Sequence, residues 1–319
     1  MKQLYVKDLK RNDSIIDFFM VRSSGIKVGS NRKNYLDILL ADKTGEVNSK
    51  KWDVQESEVQ SLSQIKPGDL VKVKATVTDW QNQIQLRIMR IRPAVPEDGL
   101  SVMDFVKSAP EKPQDMYDYI YGVADAMQDG DLRALCLRVL TDNREQLMYY
   151  PAASRNHHAE YGGLLYHTKR MLMNGLAVCG VYTDLNKDLV CAGVICHDIE
   201  KIHEILSDQN GVSPGYSMEG QMLGHIVMGA RYLDQLTAEL NFPREKAIMM
   251  EHMIVSHHYE PEYGSPKKPL FPEAEVLHYL DILDARMFDM YDALATTQPG
   301  EFSDRVWTLD NRRLYKPTF

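Results

Sequence analysis

The chain has 319 residues, of which 44% are apolar and 26% are charged, as in a soluble globular protein of about two domains. No apolar run approaches the roughly 20 residues that span a bilayer, and residues 1–10 lack the apolar core of a signal peptide. Four cysteines occur singly, without a CxxC pair. We therefore expect a cytoplasmic protein with reduced thiols and no membrane partner.

Charge divides the chain into two parts. Residues 1–95 carry 17 Lys and Arg against 11 Asp and Glu, whereas the remainder carries 20 against 34. The basic part suits a polyanion, which ranks nucleic acid ahead of small molecules. The acidic part offers carboxylates for metal. A chance imbalance on two solvated surfaces is the alternative.

Five strands are predicted in the first part, with a helix between the third and the fourth. The strands cover residues 14–22, 35–41, 46–52, 70–80 and 84–88, and the helix covers 54–62. Apolar and polar residues alternate along the fourth and fifth strands, and turn residues separate them. This order matches an OB-fold barrel, while a sandwich or an SH3-like barrel fits the same pattern.

An OB barrel binds single-stranded nucleic acid by stacking bases on aromatic rings and holding phosphates with Lys and Arg. The alternative is that the aromatic residues belong to the core and the lysines to a solvated face. The basic stretch 27–33 connects the first two strands. The predicted contact residues are Phe19, Lys33, Tyr35, Trp80 and Arg87.

Prolines mark the end of the first part. Four of them fall in residues 92–114, which we interpret as a linker over 96–114 between a barrel domain at 1–95 and a helical domain at 115–319. From residue 116 onward the patterns are helical. The predicted fold class is an N-terminal all-β barrel followed by an all-α domain.

Histidines and aspartates recur through the helical part in the order His, His-Asp, His, His-His, Asp. Each lies in or at the end of an apolar segment with helical spacing, so the side chains share the buried face. One such histidine alone is more simply a core residue, but the whole set predicts a metal site. The candidate ligands are His167, His197, Asp198, His225, His257, His258 and Asp281.

The pair His197-Asp198 is the most specific part of this pattern. It follows the apolar run 189–196 directly, where a carboxylate is costly unless it is paired or metal-bound. Lys201, one turn later, is predicted to neutralise a phosphate oxygen. His158, with His157, is expected at the opening of the site, near substrate or a proton, or else as a solvated loop residue. Asp198, Lys201 and His158 are the predicted catalytic residues.

Imidazoles and carboxylates suit divalent Mn, Fe, Co or Zn. Seven ligands are too many for one tetrahedral ion and fit two ions that share a carboxylate. Two ions about 3.5–4 Å apart activate a hydroxide and clamp a phosphoryl oxygen. Because no Walker loop is present and the cysteines lack a neighbouring base, we expect hydrolysis of a phosphoester. Asp284 lies one turn after Asp281, so either carboxylate could face the ions.

These motifs resemble the HD superfamily of metal-dependent phosphohydrolases over roughly residues 150–295. The resemblance implies that one ion is held by His167, His197, Asp198 and Asp281. It implies that the second is held by Asp198, His225, His257 and His258, with Asp198 bridging. Many members have Gly in an HDxGK stretch, where this chain has Glu200.

A barrel before an HD domain resembles the YhaM family of 3′-to-5′ exoribonucleases of Gram-positive bacteria over nearly the whole chain. The matching stretches include 156–158, 163–167, 192–198, 224–225, 256–258 and 277–281. The resemblance implies Mn-dependent trimming of single-stranded RNA, with single-stranded DNA as a second substrate. The alternatives are a nucleotide phosphohydrolase, a cyclic-dinucleotide phosphodiesterase and a non-enzymatic single-strand-binding protein. The sequence leaves open the native metal, one ion or two, and whether a homo-oligomer forms.

Overall fold

The computed structural model describes residues 2–29, 32–81, 83–153 and 158–319. The chain forms two compact units, Met1–Ser108 and Ala109–Phe319, so the division falls inside the predicted linker. The first unit contains a closed five-stranded barrel and the second is helical. The predicted fold class is therefore confirmed.

The barrel contains the predicted five strands with one helix between the third and the fourth. Its elements are β1 (Ser14–Val28), β2 (Asn34–Asp42), β3 (Gly45–Lys51), α1 (Glu56–Leu62), β4 (Leu70–Trp80) and β5 (Gln83–Pro93). The strand order around the barrel is β1-β2-β3-β5-β4. All neighbours are antiparallel except β3 and β5, whose short parallel pairing closes the barrel. This is the OB-fold arrangement.

Strand β1 is longer than predicted because it serves two neighbours. Its first half, from Ser14 to Met20, pairs with β4, and its second half, from Met20 to Val28, pairs with β2. The register shifts between Val21 and Ser23, and such a bulge bends a strand and increases its twist. The sequence Ser23-Ser24-Gly25 carries no apolar alternation, so the second half could not be predicted.

The interior of the barrel is filled by the alternating apolar residues of its strands. They include Phe19, Leu36, Ile38, Leu40, Val71, Val73, Val77 and Leu86. The Phe19 ring has no exposed surface. Most polar members of the same strands lie on the outer face, whereas Asp17, Asp42 and Ser49 are buried.

Within the described ranges, the second unit contains nine α-helices. They are α2 (Pro113–Asp125), α3 (Gly130–Asp142), α4 (Arg144–Leu147), α5 (Gly163–Val181), α6 (Lys187–Cys196), α7 (Lys201–Glu204), α8 (Met218–Glu239), α9 (Arg244–Ser256) and α10 (Pro272–Ala295). A two-stranded sheet of β6 (Ile205–Leu206) and β7 (Gly215–Tyr216) connects α7 with α8. In the part of the chain that the structure describes, no helix is long and apolar enough to cross a bilayer.

Helix α6 is the centre of the helical unit. Every residue from Asp188 to Cys196 is buried, as expected of a helix that is apolar on all sides. Helices α3, α5, α9 and α10 all contact it. The residues directly after α6 therefore emerge in the interior of the unit, which is where the candidate site lies.

Candidate metal centre

The pair His197-Asp198 occupies the buried end of α6. His197 is 1% exposed and Asp198 is 2% exposed. The His197 backbone N–H still donates to Gly193 O, so the helical turn holds both side chains in place. A carboxylate at this depth requires cations or hydrogen-bond donors around it.

The five candidate histidines share one orientation. In each, Nδ1 lies 2.7–3.0 Å from an oxygen that can only accept a hydrogen bond, so Nδ1 carries the proton. The lone pair is then on Nε2, where it can bind a metal. The pairs are His167 with Asp284, His197 with Val194 O, His225 with Glu204, His257 with Ile254 O, and His258 with Tyr263 O.

The Nε2 atoms converge on the two oxygens of Asp198. Oδ2 lies 3.2 Å from His197 Nε2 and 3.7 Å from His167 Nε2. Oδ1 lies 3.4 Å from His225 Nε2 and 3.8 Å from His257 Nε2. One carboxylate thus faces two sets of imidazoles, which is the geometry of a bridging ligand.

Three groups of potential ligand atoms occur among the described residues. Two lie around Asp198, and a third, His158, His167 and Asp284, lies on the far side of the His167 ring. The first group is His167, His197 and Asp198, and the second group is His225, His257 and His258. In the first group the Nε2 atoms of His167 and His197 are 3.3 Å apart. Two lone pairs at this separation repel each other unless a proton or a metal cation lies between them. The donor set therefore fits a cation.

Asp281 faces both groups, whereas Asp284 lies behind the first. Asp281 Oδ1 is 3.4 Å from His167 Nε2, and its Oδ2 is 3.8 Å from His258 Nε2. Asp284 instead accepts from His167 Nδ1 at 2.9 Å, on the far side of the ring. Of the two aspartates, Asp281 is the one that faces Nε2 atoms of both groups.

Electrostatics favour the ionised form of Asp198 and the neutral form of His257. Burial raises the pKa of Asp198, but His197 and Lys201 outweigh it and hold that pKa well below its usual range. Burial and the neighbouring His258 and His197 push the pKa of His257 well below its usual value. Ionised carboxylates and neutral imidazoles are the forms that bind metal.

His167 shows the opposite shift, because carboxylates surround it. Burial lowers its pKa, but hydrogen bonds to Asp281 and Asp284 more than offset this and raise the pKa of His167 to about 9. The two carboxylates thus favour positive charge at this position, which a proton or a metal ion supplies.

Several buried polar atoms of the cluster lack a hydrogen-bond partner within the described part of the chain. They are Asp198 Oδ1, His225 Nε2 and His257 Nε2. Leaving one such atom unsatisfied costs roughly 1–3 kcal/mol. Their concentration at one point, all directed at the same space, is the arrangement that divalent cations satisfy.

Lys201 and His158 are both buried. The Lys201 ammonium is 2.7 Å from Asp198 Oδ2 and forms an ion pair with it. His158 has no exposed surface, and its Nε2 donates to Asp284 at 2.8 Å. The prediction that His158 lines the opening is therefore wrong, since the side chain is buried behind Asp284. His157 lies outside the described residues.

Glu204 and Arg170 are site residues that the sequence analysis did not identify. Glu204 binds His225 through both oxygens, and Arg170 Nε is 2.7 Å from Asp284 Oδ1. Arg170 falls three residues after His167, a helical spacing that could have indicated it. Glu204 lies 21 residues before His225, and nothing in the local pattern connects the two.

Four of the five residues predicted to contact nucleic acid are on the barrel surface. Arg87 and Trp80 are exposed, Lys33 forms an ion pair with Asp53, and Tyr35 is partly exposed. Phe19 is the exception, because its ring packs in the barrel core. The prediction that Phe19 contacts a ligand is wrong.

The Tyr35 ring stacks on Trp52, with their centroids 4.8 Å apart. The Lys50 ammonium lies 5.5 Å from the centroid of each ring. Lys50 also pairs in register with Arg87 of β5. Aromatic rings and cations therefore share the outer face of β2, β3 and β5. We call these four residues, Tyr35, Lys50, Trp52 and Arg87, the aromatic-basic face.

Comparisons with solved structures match parts of the chain at low identity. The second OB-fold domain of replication protein A from Methanococcus maripaludis is 17% identical, with 29% of this chain and 94% of that chain covered and a TM-score of 0.23. A mitochondrial single-stranded DNA binding protein from S. cerevisiae is 16% identical, with 27% and 97% covered and a TM-score of 0.23. Asparaginyl-tRNA synthetase from Pyrococcus horikoshii with asparaginyl-adenylate is 14% identical, with 45% and 35% covered and a TM-score of 0.26.

A family model gives a more specific match in the helical unit. Residues 164–286 match the HD domain. This range includes every candidate metal ligand, from His167 to Asp281. The helical unit therefore holds an HD domain, which indicates a metal-dependent phosphohydrolase.

Proposed function

We propose that this protein is a metal-dependent 3′-to-5′ exoribonuclease that hydrolyses single-stranded RNA and, as a second substrate, single-stranded DNA. The observation that carries the proposal is the convergence of five Nε2 atoms and two carboxylates in one helical unit. The polarity and the preference for RNA come from the resemblance to the YhaM family.

We assign two divalent ions to the cluster. His167, His197, Asp198 and Asp281 hold one ion, and Asp198, His225, His257 and His258 hold the other. The mixed imidazole and carboxylate set suits Mn, with Fe, Co or Zn as alternatives. When bound, such a pair supplies an activated water and electrostatic stabilisation for phosphoryl transfer.

The chain's own residues hold this arrangement in place and complement it. Asp198 keeps the two imidazole groups in contact with one carboxylate, and its buried position excludes water from its oxygens. Lys201 places a positive charge beside Asp198, where we expect it to attract a phosphate oxygen of the substrate. No side chain of this set is a covalent nucleophile, so hydrolysis is direct.

The barrel supplies the grip on the strand in this proposal. Bases stack on Tyr35 and Trp52 of the aromatic-basic face, and phosphates contact Lys50 and Arg87. Each stacked base contributes roughly 1–3 kcal/mol, without sequence preference. A nucleotide phosphohydrolase would need no such face, which is why a polymer is the favoured substrate.

A 5′-labelled single-stranded RNA with Mn tests the proposal directly. A 3′-to-5′ exonuclease yields a ladder of shortening labelled products, whereas the opposite polarity releases labelled mononucleotide at once. Free nucleotides and cyclic dinucleotides are assayed in parallel. Hydrolysis of these alone would contradict the proposal, and binding without any hydrolysis would identify a non-enzymatic single-strand-binding protein.

A further inference from the structure

We propose that Asp284 and Glu204 are positioning residues, each assigned to one of the two metal ions. The inference rests on the proposed function and concerns how the site is built. Three of the five histidines are fixed by backbone carbonyls, and only His167 and His225 are fixed by carboxylates. These two histidines belong to different ligand groups.

Asp284 is the centre of a buried polar network behind the first group. Its Oδ2 accepts from His167 Nδ1 at 2.9 Å and from His158 Nε2 at 2.8 Å. Its Oδ1 forms an ion pair with Arg170 Nε at 2.7 Å. Because the carboxylate is buried and held from three sides, it fixes both the tautomer and the orientation of His167.

Glu204 fixes the orientation of His225 in the second group, but it does so by binding both the backbone and the side chain of that histidine. Helix α8 is interrupted at Gly224, whose φ of 71° and ψ of 158° free the backbone N–H of His225 from helical bonding. Glu204 Oε1 accepts from that N–H at 3.1 Å, and Oε2 accepts from His225 Nδ1 at 3.0 Å. One carboxylate thereby caps the second half of α8 and orients its first imidazole.

The two carboxylates also have a common chemical effect. A carboxylate that accepts from Nδ1–H makes the opposite Nε2 more basic and a stronger ligand. Loss of such a partner typically weakens metal affinity about 10- to 100-fold. Because each carboxylate contacts a histidine of one group only, each should affect one ion more than the other.

The test is Mn titration of metal-free protein by calorimetry, together with Mn electron paramagnetic resonance. Asp284→Asn and Glu204→Gln are compared with wild type. An amide offers one acceptor oxygen. The amide of Glu204→Gln therefore cannot serve both N–H groups of His225, and the amide of Asp284→Asn cannot serve Arg170 as well as the histidines. We expect wild type to bind two ions and to show a coupled-pair spectrum.

Each variant should bind one ion about 10- to 100-fold more weakly and keep the other. At one equivalent of Mn, the spectrum of each variant should be that of an isolated ion. The matched control is Glu200→Gln. It replaces a carboxylate whose oxygen lies 3.1 Å from His203 Nδ1, and His203 belongs to neither group. This control should bind Mn as wild type does.

The outcomes separate the inference from the proposed function. If wild type binds two Mn ions and both variants match it, the inference is wrong and the proposed function stands. If wild type binds no Mn, the proposed function fails as well. Equal weakening of both ions in both variants would overturn the assignment of one carboxylate to each ion.

Folding is monitored by circular dichroism of the metal-free proteins. Asp284→Asn removes a fully buried carboxylate from the half-buried Arg170 guanidinium, so it is the variant at risk of misfolding. Glu204 is nearer the surface, with 12% side-chain exposure. Glu204→Gln by itself therefore tests whether a carboxylate positions a histidine of the second group.

Discussion

Gly220 should be intolerant of the smallest side chain, although it lies in a regular turn of α8. A Cβ at this position would lie 2.3 Å from Glu204 O and 2.9 Å from Glu204 C and Cα. Ordinary contact begins near 3.4 Å, so α7 and α8 must separate by about 1.1 Å. Because the obstructing atoms are backbone, no side-chain rotation relieves the contact.

The expected cost of Gly220→Ala is about 1–3 kcal/mol. Overpacking of this kind costs about 1–3 kcal/mol. The backbone bond from Ser217 N to the same carbonyl, at 2.9 Å, adds about 0.5–1.5 kcal/mol if it breaks. Alanine returns up to about 1 kcal/mol through its higher helix propensity.

A second effect of Gly220→Ala should appear at the metal site. The contact from Glu204 to His225 Nδ1 is 3.0 Å. A shift of about 1 Å would take it beyond hydrogen-bond range. Affinity for one Mn ion should then fall about 10- to 100-fold, as for Glu204→Gln.

Denaturant unfolding of metal-free protein and Mn calorimetry measure the two effects. Gly122→Ala in α2 is the matched control, because nothing lies within 4 Å of its added Cβ. It should be neutral or stabilising by up to about 1 kcal/mol. A Gly220→Ala protein as stable as the control, with wild-type Mn affinity, would refute the reasoning.

Four further predictions follow from the site, the barrel and the core. Asp198→Ala should abolish hydrolysis and bound metal while circular dichroism shows the fold retained, because the bridging carboxylate serves both groups. Asp281→Asn should abolish turnover, whereas Asp284→Asn should keep part of it, as measured by RNA hydrolysis at saturating Mn. Arg87→Ala should reduce the slope of log affinity for single-stranded RNA against log salt by about 0.7, since one phosphate contact is lost. Burial raises the pKa of Cys191 to about 12, so only about one thiol in 10,000 is ionised at pH 8 and disulfide reagents should react with it only after unfolding.

Each of these has a result that would contradict it. Full metal and activity in Asp198→Ala would remove the case for a bridging ligand. An inactive Asp284→Asn beside an active Asp281→Asn would reverse the roles of the two aspartates. Arg138→Ala, which removes an exposed cation from the helical unit, is the control for Arg87 and should leave the salt slope unchanged. Rapid labelling of all four cysteines in native protein would show that the thiols are accessible.

The sequence alone determined the elements and the inventory of ligands. Alternation in β4 and β5 predicted those strands, and the helix between the third and fourth strands led to the OB-fold, because these patterns depend on neighbouring residues. The order His, His-Asp, His, His-His, Asp indicated metal for the same reason, since a carboxylate directly after an apolar helix is costly without a cation.

Tertiary structure decided what each side chain faces. Asp281 and Asp284 are one turn apart and chemically identical, and only the packing of α10 against α5 places one before His167 and the other behind it. Phe19 reads as a stacking ring in sequence, but barrel closure turns it inward. Glu204 and His225 meet through a break in α8 that no local pattern encodes. Local sequence fixes which residues share a face, but contacts between distant segments depend on how those faces pack.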